Sequence, residues 1–188
     1  MHLAGVEGDE LLPGAHEQPP VPVDPLGRPA PVGPRHLPSR QRVAREATTI
    51  KWPNDVLLDG RKLAGILVEG RSQEGWMVLG IGLNVALRPD DFPPELRDTA
   101  ATLGRDPAEV EPALHELLGA LDEWLSVPHD DVVGAFRARD ALAGREVSWA
   151  DGSGVAEGID GDGRLLVRAG DELVTLDAGE VHLRGQTP

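Results

Sequence analysis

Apolar and polar residues along the segment that starts at Thr48 follow a pattern typical of β-strands rather than helices. The stretches "TTIKWPNDVLL" and "RKLAGILVEG" each predict one strand. Asp59-Gly60 between them predicts a tight turn, because glycine supplies the positive φ that a hairpin turn requires. The next stretch, "WMVLGIGLNVAL", is apolar almost throughout and predicts a strand buried on both faces. Together the three stretches predict a three-stranded meander.

A helical pattern follows the Pro-rich loop "RPDDFPPEL". Asp106, Pro107 and Glu109 have the positions of a helix cap, a first-turn proline and a capping-box acid. A second helix is predicted from about Asp130 to Leu142, with Gly144 placed to end it. The first helix has an apolar face that we expect to pack on an apolar surface, and this face consists of Val110, Leu114, Leu117, Leu118, Leu121 and Leu125.

The tail from Arg145 to Arg184 contains short apolar runs separated by turn motifs rich in glycine and aspartate. The runs are "REVSWA", "GVAEGI", "RLLVRAG", "ELVTL" and "EVHLR". Short strands at this spacing predict a small β-barrel. The predicted fold class is therefore α+β: a mixed or antiparallel sheet with helices, followed by a small SH3-like β-barrel.

The first 47 residues differ in character from the rest of the chain. Up to Gln41 they hold 9 of the 17 prolines and show no sustained strand or helix periodicity. We expect a disordered leader, or sequence that does not belong to the fold, in preference to a polyproline ligand for a partner. Ser39 could cap a short helix, "RQRVAREA". The predicted domains are residues 1–47 as leader, 48–143 as the main domain and 144–185 as the barrel.

Composition narrows the range of functions. Thirty-two acidic residues against 18 basic ones give a formal charge of −14, which argues against a nucleic-acid partner. The sequence contains no cysteine, which excludes disulfides and thiolate chemistry and fits a reducing compartment. No apolar run approaches the roughly 20 residues of a membrane span. We expect a cytoplasmic protein without a membrane partner.

The segment from Ile50 to Gly70 carries two lysines in apolar surroundings, and such cations suit a site for an anion. Taken alone, Lys62 is more typical of a surface lysine beside Arg61 at a hairpin. Lys51 and Asp55 could form a salt bridge, Asn54 could stabilise a turn, and Trp52 suits either the core or a ligand contact. No metal site is predicted, because "HELLG" lacks a second histidine and "DGDGR" lacks the glutamate of a calcium loop.

The motif "KWPNDVLLDGRKLAGILVE", followed by "GIGLNVAL", a helical pair and a small barrel, resembles the biotin protein ligase family over roughly residues 48 to 185. The resemblance implies activation of biotin by ATP, with Mg²⁺ on the nucleotide, and transfer to a lysine of a biotin carboxyl carrier protein. It implies that Lys62 is catalytic and contacts the biotin carboxyl group and the phosphate, and that the small Ala64 and Gly65 let backbone approach the ligand. The ATP-binding residues that it implies are Lys51, Asn54, Asp55 and Asn84.

Family members also carry a Ser-Thr pair and a glycine- and arginine-rich biotin loop ahead of "KWPND", and residues 1 to 49 contain no match to them. No match to the family's optional DNA-binding domain occurs either, so repressor function is not implied. We therefore expect a shortened chain that is inactive by itself and leaves an apolar sheet edge unpaired. Two alternatives stay open: an inactive remnant that serves as a binding module, and a lipoate protein ligase. A homodimer is also compatible with the resemblance.

Overall fold

The computed structural model describes residues 48–184, and its first sheet contains four antiparallel strands. The strands follow chain order across the sheet: β1 (Thr48–Lys51), β2 (Asp55–Leu58), β3 (Arg61–Arg71) and β4 (Trp76–Leu83). Asp59 and Gly60 join β2 to β3 with φ values of 51° and 76°, the two positive angles that a type I′ turn requires. The Asp-Gly turn predicted from the sequence is therefore confirmed. The predicted leader and the short helix over residues 40–47 lie outside the described residues.

The prediction of a single strand over "TTIKWPNDVLL" is wrong, because the chain reverses at Trp52, Pro53 and Asn54. Pro53 has no N–H to donate to a sheet, and asparagine is well suited to turns. The reversal pairs Lys51 with Asp55 and produces four strands where three were expected. It also turns two halves of one sequence motif into neighbouring strands.

The prediction that β4 is buried on both faces is also wrong. Its residues are exposed over most of its length, and so is the outer half of β3. Within residues 48–184 only β3 pairs with β4, which therefore forms an edge of the sheet. An apolar sequence indicates a surface that favours burial, and the described residues do not cover it.

Two helices follow the sheet, α1 (Val110–Leu125) and α2 (His129–Arg137). The predicted capping box precedes α1: Asp106 Oδ1 accepts from Ala108 N at 2.9 Å, and Asp106 N donates to the Glu109 carboxylate at 3.0 Å. The predicted apolar face of α1 is only partly covered. Leu117 and Leu121 are half-buried, whereas the exposed members of that face are Val110, Leu114, Leu118 and Leu125.

The second helix ends five residues earlier than predicted, because the chain after it joins the first sheet. Ile50 N donates to Arg139 O, and Ala141 N donates to Ile50 O, each at 2.8 Å. Arg139 and Ala141 therefore pair with β1 instead of continuing the helix. Gly144, with φ of 76°, then turns the chain into the tail.

The tail forms five strands at the predicted positions: β5 (Glu146–Trp149), β6 (Gly152–Ile159), β7 (Leu165–Ala169), β8 (Glu172–Leu176) and β9 (His182–Leu183). They form one antiparallel sheet in the order β8-β7-β6-β5-β9. The α+β class is confirmed, whereas an SH3-like closed barrel stays a prediction. The core of this sheet includes fully buried Val147, Leu165 and Val167, and it also takes in Trp52 from the turn between β1 and β2.

Candidate functional site

The turn between β1 and β2 brings three charged side chains together. Lys51 ends β1, Asp55 begins β2, and the two pair directly across the strands. Lys51 Nζ lies 3.7 Å from Asp55 Oδ2, and Lys62 Nζ lies 2.6 Å from Asp55 Oδ1. Oδ1 is buried and makes no hydrogen bond of good geometry, so the Lys62 ammonium compensates its charge. Both predicted lysines therefore share one carboxylate.

A β-bulge determines the direction of Lys62. Ala64 pairs with Val56 and Lys62 pairs with Leu57, so one step along β2 corresponds to two steps along β3, and Leu63 is the extra residue. Without the bulge, side-chain alternation would place Lys62 on the face opposite Gly65. With it, Lys62 lies on the face that carries Asp55. Leu63 itself is buried in a small core with Leu58 and Ala101.

The backbone on either side of Lys62 is fixed by residues 99–101, which follow the Pro-rich loop and for which no element was predicted. Lys62 N donates to Thr99 O at 2.7 Å, and Ala101 N donates to Lys62 O at 2.8 Å. Asn84 connects the same pieces, because its backbone N donates to Leu63 O at 3.1 Å and its side-chain amide donates to Ala101 O at 2.9 Å. The Pro-rich character of the loop gave no indication of this pairing.

Lys51, Asp55, Lys62 and Asn84 all line one cavity of about 1440 Å³. Ordinary small-molecule sites occupy roughly 300–1,000 Å³, so this cavity is larger than a close-fitting site. Asn54 is not among the lining residues: it is exposed in the turn, and its backbone carbonyl accepts from Ile66 N at 2.9 Å. The structure therefore brings together four of the five residues predicted at the nucleotide or the catalytic position.

Trp52 belongs to the core and not to the cavity wall. It is 4% exposed, and its indole Nε1 donates to Gly163 O at 2.9 Å. The two open readings of this residue are thereby decided in favour of packing. The sequence analysis did not identify His182 as a cavity residue, although β9 places it in the wall. A single histidine in a short strand carries no local signal of such a role.

Ala64 and Gly65 line the same cavity on β3. Ala64 is buried, and it pairs with Val56 of β2. Gly65 lies opposite Asp55, and a Cβ built on it would lie 3.1 Å from Lys62 Cε and 3.2 Å from Lys62 Nζ. The space beside Gly65 is thus occupied by the Lys62 side chain.

The charges around the cavity are mixed in sign. Arg61 adds a third cation to the two lysines, while the acidic lining residues are Asp55, Asp59, Glu95 and Asp98. Within residues 48–184 no group of three or more histidine, aspartate or glutamate side chains is arranged to hold a metal ion. Binding of an anion here would therefore depend on individual cations rather than on a broad positive field.

The helices among residues 48–184 lack the length and apolar character that a membrane-spanning helix requires.

Two family profiles match the chain. The profile described as "Biotin/lipoate A/B protein ligase family" matches residues 28–85, and "Biotin protein ligase C terminal domain" matches residues 144–184. The first match contains the Lys51, Asp55 and Lys62 cluster, and the second contains the five-stranded tail. Together they define a ligase-type α+β domain joined to the C-terminal domain of that class.

Individual relatives agree with the profiles. The "Biotin--[acetyl-CoA-carboxylase] ligase" of Mycobacterium tuberculosis is 36% identical over 146 residues, which cover 73% of this chain and 54% of the relative. The protein of that name from Paracoccus denitrificans is 33% identical and is covered over 63% of its length. A structure of the Aquifex aeolicus biotin protein ligase "in complex with biotin and ATP" superposes with a TM-score of 0.58 at 26% identity, covering 73% of this chain and 62% of that one.

Together, the two profiles and these relatives support a partial biotin protein ligase, with the profile matches confined to residues 28–85 and 144–184. The chain spans about half the length of the Mycobacterium tuberculosis relative.

Proposed function

We propose that the chain supplies the nucleotide-activating part of a biotin protein ligase, with Lys62 as its catalytic residue. The observation that carries this proposal is the convergence of Lys51, Asp55, Lys62 and Asn84 on one cavity, within the segment that matches the ligase family. The substrates are biotin and ATP, and the acceptor is a lysine of a biotin carboxyl carrier protein in the cytoplasm. Asn54, being outside the cavity wall, acts through the turn that positions Lys51 and Asp55.

The first reaction joins two anions. A biotin carboxylate oxygen attacks the α-phosphorus of ATP, an oxygen–phosphorus bond forms, and pyrophosphate leaves with its bridging oxygen. The Lys62 ammonium lies in the cavity wall, where it can offset the charge that builds up on the α-phosphate. Lys51, half-buried and close to Asp55, provides a second cation for the phosphate chain. In the second reaction the carrier amine attacks the acyl carbon, and AMP leaves.

Magnesium would be held mainly by the phosphates of ATP, because this ion often keeps several waters and takes few protein ligands. The acidic side chains of the cavity wall can contribute one or two ligands at most, since no metal-binding group is formed among residues 48–184. Lys62 must also exchange Asp55 for the substrate anion during the reaction. The salt bridge is thus a resting contact that substrate binding replaces.

The test uses the chain alone and the chain completed with the part of the Mycobacterium tuberculosis ligase that it does not match. Biotin-dependent pyrophosphate release is measured for both and for Lys62→Ala and Arg71→Ala in the completed form. We expect release from the completed enzyme, none from the chain alone, and a fall on the order of 10²-fold or more for Lys62→Ala. Arg71 lies on the same strand, is exposed and pairs with Glu74, so Arg71→Ala should leave the rate unchanged.

Each contrary result has a separate meaning. Unchanged release in Lys62→Ala removes this lysine from the mechanism. Robust release from the chain alone shows that the expectation of a missing, essential biotin loop is wrong. Release that depends on lipoate instead of biotin favours the lipoate ligase alternative, which the shared family profile leaves open. A completed protein that binds the carrier but releases no pyrophosphate favours the binding-module alternative.

A further inference from the structure

The Lys62 side chain lies over Gly65, and backbone conformation does not explain why glycine occupies that position. Gly65 is absent from the glycines with positive φ, so an alanine there would not strain the backbone. Its neighbours define a different requirement. A Cβ at position 65 would meet Lys62 Cε at 3.1 Å and Lys62 Nζ at 3.2 Å, with Asp55 Oδ1 at 3.8 Å.

The bulge and the glycine act on the same side chain. The extra residue, Leu63, turns Lys62 to the face that carries Asp55, and Gly65 is the pairing partner of Asp55 on that face. In this structure the lysine reaches the carboxylate at 2.6 Å across the space above Gly65. A methyl group in that space would require the Lys62 Cε and Nζ atoms to move by a few tenths of an ångström, and this movement would lengthen the 2.6 Å contact with Asp55.

We propose that Gly65 is a positioning residue for Lys62: it leaves the space in which the lysine side chain reaches Asp55, and the ammonium stays on that carboxylate until the anionic group of the substrate replaces it. The effect of Gly65 on ligand binding rests on the proposed function, whereas its effect on the position of Lys62 does not. Asp55 offers Lys62 one contact position, at Oδ1. Its side chain is 85% covered, and Lys51 approaches the other oxygen, Oδ2.

The test uses the fact that the chain has two lysines, Lys51 and Lys62. Lysine labelled with ¹⁵N at the side-chain nitrogen therefore gives two ammonium signals in an NMR spectrum. In the unsubstituted chain we expect a nuclear Overhauser contact between the Gly65 α-protons and the Lys62 ε-protons. Asp55→Asn should move both signals and calibrates the loss of the salt bridge.

Gly65→Ala should move the Lys62 signal toward its position in Asp55→Asn, while backbone amide signals confirm that the protein is folded. The matched control is Gly80→Ala, whose new Cβ would lie 3.7 Å from Leu67 O, an ordinary contact, and should leave the Lys62 signal in place. An unmoved Lys62 signal in folded Gly65→Ala would overturn the proposal. Absence of the Overhauser contact in the unsubstituted chain would overturn it without any variant.

A second measurement separates this proposal from the proposed function. The affinity of the completed enzyme for a non-hydrolysable biotinyl-adenylate analogue should fall roughly two- to tenfold when Gly65→Ala is introduced. The same substitution should have no effect when Lys62→Ala is already present, because the displaced group is gone. A loss of affinity that persists in that background contradicts positioning through Lys62. If the completed enzyme without substitutions does not bind the analogue, the proposed function fails, whereas the NMR result still decides the role of Gly65.

Discussion

At the scale of single residues, Asp55 and Asp160 show how the same chemical group, a carboxylate, serves different purposes at two positions. Asp55 shares its charge between two lysines in a cavity wall and leaves one oxygen without a well-directed hydrogen bond. Asp160 instead closes a surface loop: its Oδ1 accepts from the N–H groups of Asp162 and Arg164, and its Oδ2 accepts from Arg164 Nε at 2.7 Å. A fully bonded carboxylate stabilises a loop, whereas an incompletely bonded one can exchange its partner.

The Asp160 loop predicts a pH-dependent contribution to stability. Partial desolvation opposes the change, but backbone and side-chain hydrogen bonds from residues 162 and 164 lower the pKa of Asp160 below its ordinary value. A lowered folded-state pKa means that the stabilisation is present above the ordinary aspartate pKa and is lost as the pH falls through the lowered one. Asp160→Asn should therefore reduce the free energy of unfolding at pH 7 and lose this effect in acid.

Urea unfolding at several pH values measures the difference between Asp160→Asn and the unsubstituted chain. Asp162→Asn is the control, because it removes only an exposed contact to Arg164 and leaves both backbone hydrogen bonds of Asp160 intact. A difference for Asp160→Asn that is equally large in acid and at pH 7 would contradict the assignment.

At the scale of elements, the local signals in the sequence predicted the structure well where neighbours alone decide it. The Asp59-Gly60 turn, the capping box before α1 and all five strands of the tail needed only turn chemistry and short-range periodicity. The alternation of side chains along a strand could not predict which face of the sheet Lys62 lies on, because a bulge at Leu63 shifts the alternation in β3. That bulge depends on the pairing partners of β3 and on the buried site that receives Leu63.

Elements that pair over long distances in the sequence were predicted less well. The end of α2 is set by hydrogen bonds between Ile50 and residues about 90 positions later, which no window around α2 contains. The reversal at Pro53 is similar, because Trp52 enters the core of the tail sheet, and the turn between β1 and β2 forms around that contact. The candidate site residues were predicted from the resemblance of their motifs to a known family, and local periodicity alone did not identify them.

Trp52 provides a prediction for this connection between the two sheets. Trp52→Ala should lower the free energy of unfolding by about 3–5 kcal/mol, the usual cost of removing a buried aromatic side chain. Trp52→Phe should cost less, mainly the loss of the hydrogen bond to Gly163 O and some packing area. Denaturant unfolding followed by circular dichroism gives both values.

Trp76 is the matched control, since it is 47% exposed and its indole donates to the equally exposed Glu74. We expect Trp76→Ala to cost less than about 1 kcal/mol. Equal losses for the two tryptophans would show that Trp52 does not anchor the turn in the tail core.

At the scale of the whole molecule, the described residues leave a large apolar surface uncovered. The exposed fraction of Met77 is 74%, and Val68 and Leu79 on the same face of β3 and β4 are 57% and 39% exposed. Four apolar side chains of α1 are exposed as well. The match covers 54% of the Mycobacterium tuberculosis relative and 62% of the Aquifex aeolicus structure. Uncovered apolar surfaces of this kind promote association of the chain with itself.

The uncovered sheet face predicts concentration-dependent association of the chain through β4, which also bears on the homodimer that is compatible with the family resemblance. Met77 and Val78 are neighbours on opposite faces of β4. The Met77 face continues into Val68 and Leu79, whereas the Val78 face is interrupted by Glu69, its pairing partner.

Met77→Lys should weaken association on the order of tenfold, because burial of one such side chain contributes about 1.5–3 kcal/mol. Val78→Lys should have a smaller effect, since its face already carries charge. Sedimentation velocity over a range of concentrations measures the association constants. Equal effects of the two substitutions, or a chain that stays monomeric at every concentration, would show that this face does not drive association.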